Sequence, residues 1–120
     1  MDFNKVSDLK DRTKKFALAI IKLCKILPKS GEGRVIGNQL LRCGTSVGSN
    51  YRAACRGRSN REFYAKLCIV VEEADECVFW LEIISESKLL PFQKVEPVLK
   101  EASEILAIMA SSRKTAGKRL

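Results

Sequence analysis

The chain has 120 residues and a mass of 13.4 kDa, the size of one domain around one core. Its 46% apolar and 30% charged residues exclude a disordered chain, and no apolar run approaches the roughly 18 residues of a membrane span. A net charge of +8 points to an anionic partner such as RNA or DNA.

From Leu9 to Leu27 the residues Leu9, Phe16, Ile20, Leu23 and Leu27, with Thr13 in the missing slot, step by four and three positions. That period predicts a helix over about 6–27, capped by Asn4, Ser7 or Asp8 and stopped by Pro28, with 28–33 as a loop. A second helix is predicted over about 34–56, with Ile36, Leu40, Cys43, Val47, Tyr51 and Ala54 on one stripe. Gly37, Gly44 and Gly48 lie beside that stripe, and each glycine costs a helix about 1 kcal/mol relative to alanine. Close contact with a neighbouring helix would explain them; a break in the segment from Gly44 to Ser49 is the alternative.

Ser59-Asn60-Arg61-Glu62 is a capping-box pattern, and it opens a third helix over about 60–87. Phe63, Leu67, Val70, Ala74, Cys77, Leu81 and Ile84 hold a 4-3 repeat along it. Val71, Val78, Phe79, Trp80 and Ile83 fall outside that stripe and call for a second buried surface, either a wide core or an interface between subunits, with Val78, Phe79, Trp80 and Ile83 as the interface candidates. Beyond a turn at 88–91, Val95, Leu99, Ala102, Leu106 and Met109 predict a fourth helix over about 92–112, with Pro97 in its first turn and a frayed basic tail at 113–120. Four helices on short loops predict an all-α, antiparallel up-down-up-down four-helix bundle as a single domain.

The first five residues lack the charged-then-apolar order of a signal peptide, so a cytoplasmic location is expected. The five cysteines are odd in number and never spaced C-x-x-C, which reads as small buried hydrophobes rather than disulfides or a zinc site. Glu72, Glu73, Asp75 and Glu76 would suit a carboxylate-bridged metal pair only with Glu-x-x-His motifs, and the chain has no histidine. The glycines between Gly31 and Gly37 have the wrong spacing for a dinucleotide fingerprint. No nucleophile has an imidazole base, so the expectation is a protein that is not an enzyme, without cofactor, metal or small-molecule substrate.

Charge is unevenly placed along the chain: residues 1–30 carry eight basic and three acidic groups, 31–61 six and one, 62–88 two and seven, and 89–120 six and three. The strongest candidates for phosphate contact are Arg52, Arg56, Arg58 and Arg61 at the junction of the second and third helices, because guanidinium forks match phosphate oxygens. Lys14, Lys22 and Lys25 of the first helix would extend the patch. The same arginines could equally pair with the acidic stripe of a neighbouring subunit.

Several blocks recur together in a known family: Arg12-Thr13 with Phe16-Ala17, Leu27-Pro28, Gln39-Leu40-Leu41-Arg42, the run from Thr45 to Ala54, Ser59-Asn60-Arg61-Glu62-Phe63, and Glu72-Glu73-Ala74-Asp75-Glu76 followed by Trp80-Leu81-Glu82. The chain thereby resembles the bacterial 23S rRNA intervening-sequence (S23-like) four-helix bundle proteins over nearly its whole length. The resemblance implies a homopentameric barrel with a basic surface, and a relative in the accessory variability protein of diversity-generating retroelements, which binds nucleic acid and a reverse transcriptase. Many members carry glutamate where Ala53 or Ala54 stands here, which weakens any role resting on a carboxylate there. Two functions follow as expectations. One is a basic oligomer that binds structured RNA or DNA, with a reverse transcriptase as a further partner; the other is an interaction scaffold whose charge polarity serves self-assembly alone.

Overall fold

The computed structural model describes residues 3–120, which form four α-helices: α1 (Phe3–Lys25), α2 (Gly31–Cys55), α3 (Asn60–Glu86) and α4 (Phe92–Gly117). They pack into a bundle 45 Å long and 23 by 19 Å across, in which consecutive helices share broad seams and a thinner α1–α4 seam closes the ring. Each helix buries the apolar stripe that its 3.6-residue period aligns. The core runs from Leu9, Phe16 and Ile20 of α1 through Leu40, Val47 and Tyr51 of α2 to Leu67, Leu81 and Ile84 of α3 and Val95, Ile105 and Met109 of α4. Thr13 sits fully buried in the apolar stripe because its hydroxyl donates to the Leu9 carbonyl at 2.8 Å, leaving no polar atom unpaired.

The glycines of α2 explain its continuity. A Cβ on Gly44 would stand 2.7 Å from Ile20 Cγ2, and one on Gly48 3.3 Å from the Thr13 carbonyl oxygen. Leu27 lies against Gly37, Ile20 against Gly44 and Thr13 against Gly48, so residue numbers fall along α1 as they rise along α2. The segment from Gly44 to Ser49 is unbroken helix, and its glycines are where α1 comes closest.

Six details differ from the sequence-based expectation. α1 is already helical at Phe3, the first described residue, so Asn4, Ser7 and Asp8 lie inside the helix and do not cap it. Pro97 is inside α4, one turn beyond the first turn that begins at Phe92, rather than in that first turn. α2 begins at Gly31 rather than near 34, because Ser30 caps it by accepting from the Gly33 amide at 3.2 Å; residues 31–33 are its first turn and not loop. α1 leaves α-helical geometry at Lys25, and Ile26 and Leu27 tighten onto the Leu23 and Cys24 carbonyls before Pro28. On α4, Ile105 is fully buried while Leu99 and Leu106 are only partly so, a stripe rotated from the expected one. The segment expected to fray is helical to Gly117, since Ala116 is buried and Gly117 packs against the Tyr64 ring of α3. α3 ends as a Schellman turn: Lys88 takes the left-handed conformation at φ 61°, while the amides of Lys88 and Leu89 bond the Ser85 and Ile84 carbonyls.

Candidate nucleic-acid interface

Helix packing sorts the charges into two unequal halves. The half built from residues 3–14, 45–72 and 104–120, which holds the α2–α3 loop, carries thirteen basic and five acidic side chains. The opposite half carries nine and eight, so nearly all of the net charge of the described residues lies toward one end.

Arg52 and Arg56 occupy the last turns of α2, with Arg56 as its C-cap, and both side chains are exposed. Arg61 is exposed in the first turn of α3. None of the three makes an ion pair among the described residues. The serine half of the capping box forms, Ser59 Oγ accepting from the Glu62 amide at 3.1 Å, while the Glu62 carboxylate accepts at 3.0 Å from the amide of Arg58, one residue before the cap, rather than from that of Ser59. Arg58 also approaches Glu62 through its guanidinium at 3.4 Å, but its side chain is 90% exposed, so the pair contributes little and leaves the guanidinium accessible.

α1 contributes unevenly. Lys10 and Lys14 lie on the flank of α1 that turns toward α2, the flank from which Cys24 donates to the Gly37 carbonyl. Since Thr13 meets Gly48, they fall beside the turn that carries Arg52. Lys25 lies fifteen residues further along α1 than Lys10, which at 1.5 Å per residue is about 22 Å away. The structure therefore joins Lys14 to the arginines and leaves Lys22 and Lys25 toward the opposite end. The basic tail, a reserve candidate on sequence, joins them: because α4 stays helical to Gly117, Arg113, Lys114, Lys118 and Arg119 share the end that displays Arg58 and Arg61. The charge of the tail was visible; the packing of Ala116 and Gly117 that fixes its place was not.

The acidic stripe is partly engaged within the chain. Arg42 pairs with Glu73 at 3.1 Å and with Glu76, and Glu76 also accepts from the Trp80 indole N–H at 3.3 Å. The Glu76 hydrogen bond and the nearby Glu73 charge hold the Arg42 guanidinium above its ordinary pKa. Glu72 and Asp75 remain exposed on the outer face of α3 beside Phe79. Across the α1–α4 seam, Arg12 grips Glu101 through two bonds of 2.8 and 2.7 Å.

Of the four proposed interface residues only Phe79 is exposed, at 51%. Val78 and Trp80 are partly buried against the chain's own core, with the Trp80 ring edge-on to Phe79 at 4.9 Å, and Ile83 is half-buried. Leu18, Val35 and Leu41 are exposed apolar side chains on α1 and α2 that the stripe argument did not single out. Cys77 donates to Cys43 across 3.3 Å in the core, and that bond with burial raises its pKa, while burial pushes Cys24 up to about 11. Among the described residues no three metal-binding side chains gather, and no helix is long and apolar enough to cross a membrane.

The sequence matches the family model of the 23S rRNA-intervening sequence protein over residues 6–111. A solved structure from Bacteroides thetaiotaomicron, described as a protein of unknown function from the S23 ribosomal protein family, superposes with a TM-score of 0.84 at 33% identity. The match covers 92% of this chain and 98% of that one. No protein of curated description matches.

Proposed function

The chain belongs to the 23S rRNA-intervening sequence protein family, and from that premise we propose that it is a non-catalytic protein that binds structured RNA or DNA through the basic end of the bundle. The observation that carries the proposal is the thirteen-to-five charge imbalance of that end, displayed on Arg52, Arg56 and Arg61, which no carboxylate of the described chain engages. Unpaired exposed guanidinium groups spread over two helices and their loop suit a phosphate backbone, where contacts are many and independent of sequence.

The scaffold alternative requires these arginines to seek acidic partners on another copy. Two of the four candidate carboxylates, Glu73 and Glu76, already serve Arg42. Assembly is part of the proposal all the same: antiparallel up-down-up-down bundles associate, as a pentamer, through exposed apolar side chains including Phe79, and leave the basic ends free. The test is titration of a fluorescent hairpin RNA and a duplex DNA at two salt concentrations, with Arg52→Gln/Arg56→Gln beside the unaltered protein. Weaker binding of both nucleic acids by the variant supports the proposal; equal binding at both salts refutes it.

A further inference from the structure

The half of the bundle remote from the basic end carries two unpartnered surfaces of opposite charge. One is a groove of about 310 Å³ between the last turns of α1 and the first turns of α2, with Ile21, Gly37 and Leu41 in its lining. Lys25, Lys29 and Arg34 rim it, and no carboxylate of the described residues lines it. Exposed Leu18 prolongs the apolar strip along α1, one turn before Ile21 and Lys22. Lys22, Lys25 and Arg34 are exposed and make no ion pair among the described residues.

The other surface is the outer face of α3. Asp75, Phe79, Glu82 and Glu86 recur at helical spacing, so one stripe sets a half-exposed aromatic ring among three exposed carboxylates. None of the three has an ion pair among the described residues, whereas Glu73 and Glu76, on the flank toward α2, are taken by Arg42. Groove and stripe also stand at one height along the bundle. Cys43 meets Cys77 and Gly57 lies against Phe63, so residue numbers fall along α3 as they rise along α2. Phe79 is thereby level with Leu41 and Glu86 with Arg34, and Glu82 is level with Asn38, beside the Gly37 that Leu27 covers just beyond Lys25.

We propose that the outer face of α3 docks onto the α1–α2 groove of a second copy of this chain, with Phe79 against Ile21 and Leu41 and the carboxylates of Asp75, Glu82 and Glu86 toward Lys22, Lys25 and Arg34. The two patches differ, so the contact is head-to-tail: every copy offers its groove on one side and its α3 stripe on another. The shared height sets neighbouring bundles side by side and parallel, with all the basic ends on one face of the assembly. Lys22 and Lys25, which lie away from the arginine patch, acquire a role as the cationic rim of this contact. The inference rests on the assembly included in the proposed function and not on nucleic-acid binding.

The test is charge reversal read by light scattering on the full chain. Glu82→Lys/Glu86→Lys sets like charges against the groove, and Lys25→Glu/Arg34→Glu sets them against the stripe. Each double variant should weaken assembly by more than about tenfold and move the mass toward 13.4 kDa. All four positions are exposed and unpaired within the chain, so the helical signal and melting of the variants should match the parent. The decisive protein combines all four substitutions: it has the parental net charge, every proposed contact is again between opposite charges, and its mass should return to the parental value. A photo-crosslinker in place of Phe79 should then join the α1–α2 hairpin of another copy. An assembled parent whose double variants keep its mass, or whose fourfold variant stays dissociated, overturns this inference and leaves the proposed function standing. A parent of 13.4 kDa overturns it together with the assembly, and RNA titration of the same samples reads the nucleic-acid proposal separately.

Discussion

Replacing Gly44 by alanine sets two effects of known sign against each other. Alanine gains about 1 kcal/mol in helix propensity over glycine. Its Cβ would arrive 2.7 and 2.8 Å from Ile20 Cγ2 and Cγ1, closer than carbon atoms tolerate, in a core where Ile20 is fully buried and flanked by Phe16 and Leu23. α1 must shift by several tenths of an ångström or Ile20 must leave its rotamer, and such overpacking costs about 1–3 kcal/mol. The net expectation is a loss of up to about 2 kcal/mol, or up to roughly 8 °C in Tm for a chain of this length. Gly48→Ala, which meets the Thr13 backbone at 3.3 Å, should be close to neutral, and Gly31→Ala, with nothing within 4 Å, neutral or stabilising. Urea melts of the three variants check the ordering. In a double-mutant cycle, Ile20→Ala should remove most of the Gly44→Ala penalty. A Gly44→Ala protein more stable than its parent would refute close helix approach as the reason for glycine at this position.

Three further outcomes are expected. Lys88→Gly should stabilise the fold by about 1 kcal/mol in chemical denaturation, because Lys88 holds a left-handed φ of 61° that glycine adopts without strain. Stability should fall as pH rises from about 9 to 11: the unfolded chain ionises Cys24 from its ordinary value of 9.0, whereas the folded chain holds that proton up to about 11, so the unfolded state binds fewer protons across this window. Melts at stepped pH read the effect, and Cys24→Ala should reduce its slope. Light scattering at micromolar concentration should return five times 13.4 kDa, with Phe79→Lys shifting the mass downward; a mass of 13.4 kDa for the unaltered protein would remove the assembly.

The fold was legible because each helix repeats its buried positions at the helical period, and because Pro28, Ser59 and Pro91 mark boundaries that the chain respects to within a few residues. Where expectation and structure part, the cause is a contact that no local pattern carries. Ser30 captures a glycine-rich run as helix. Tyr64, fifty-three residues away from Gly117, orders the tail. The candidate site was half legible. The arginines at the α2–α3 junction stand out as residue types at one turn, but the exclusion of Lys22 and Lys25 needs the register of α1 against α2. The engagement of Glu73 and Glu76 by Arg42 depends on a pairing between residues more than thirty positions apart. Trp80 lies off the core stripe in sequence; in the structure it packs partly against the core, and its indole N–H reaches back along α3 to Glu76.

The central claim is that the arginines of the basic end contact phosphates rather than a second subunit. Its most direct test is the dependence of log Kd on log salt for a hairpin RNA, measured together with oligomer mass on the unaltered protein and on Arg52→Gln/Arg56→Gln. Two lost phosphate contacts should flatten the slope by about 1.5–2 and weaken binding to every sequence alike, with the mass unchanged. An unchanged slope with a smaller assembly would contradict the account and place these arginines at a subunit interface.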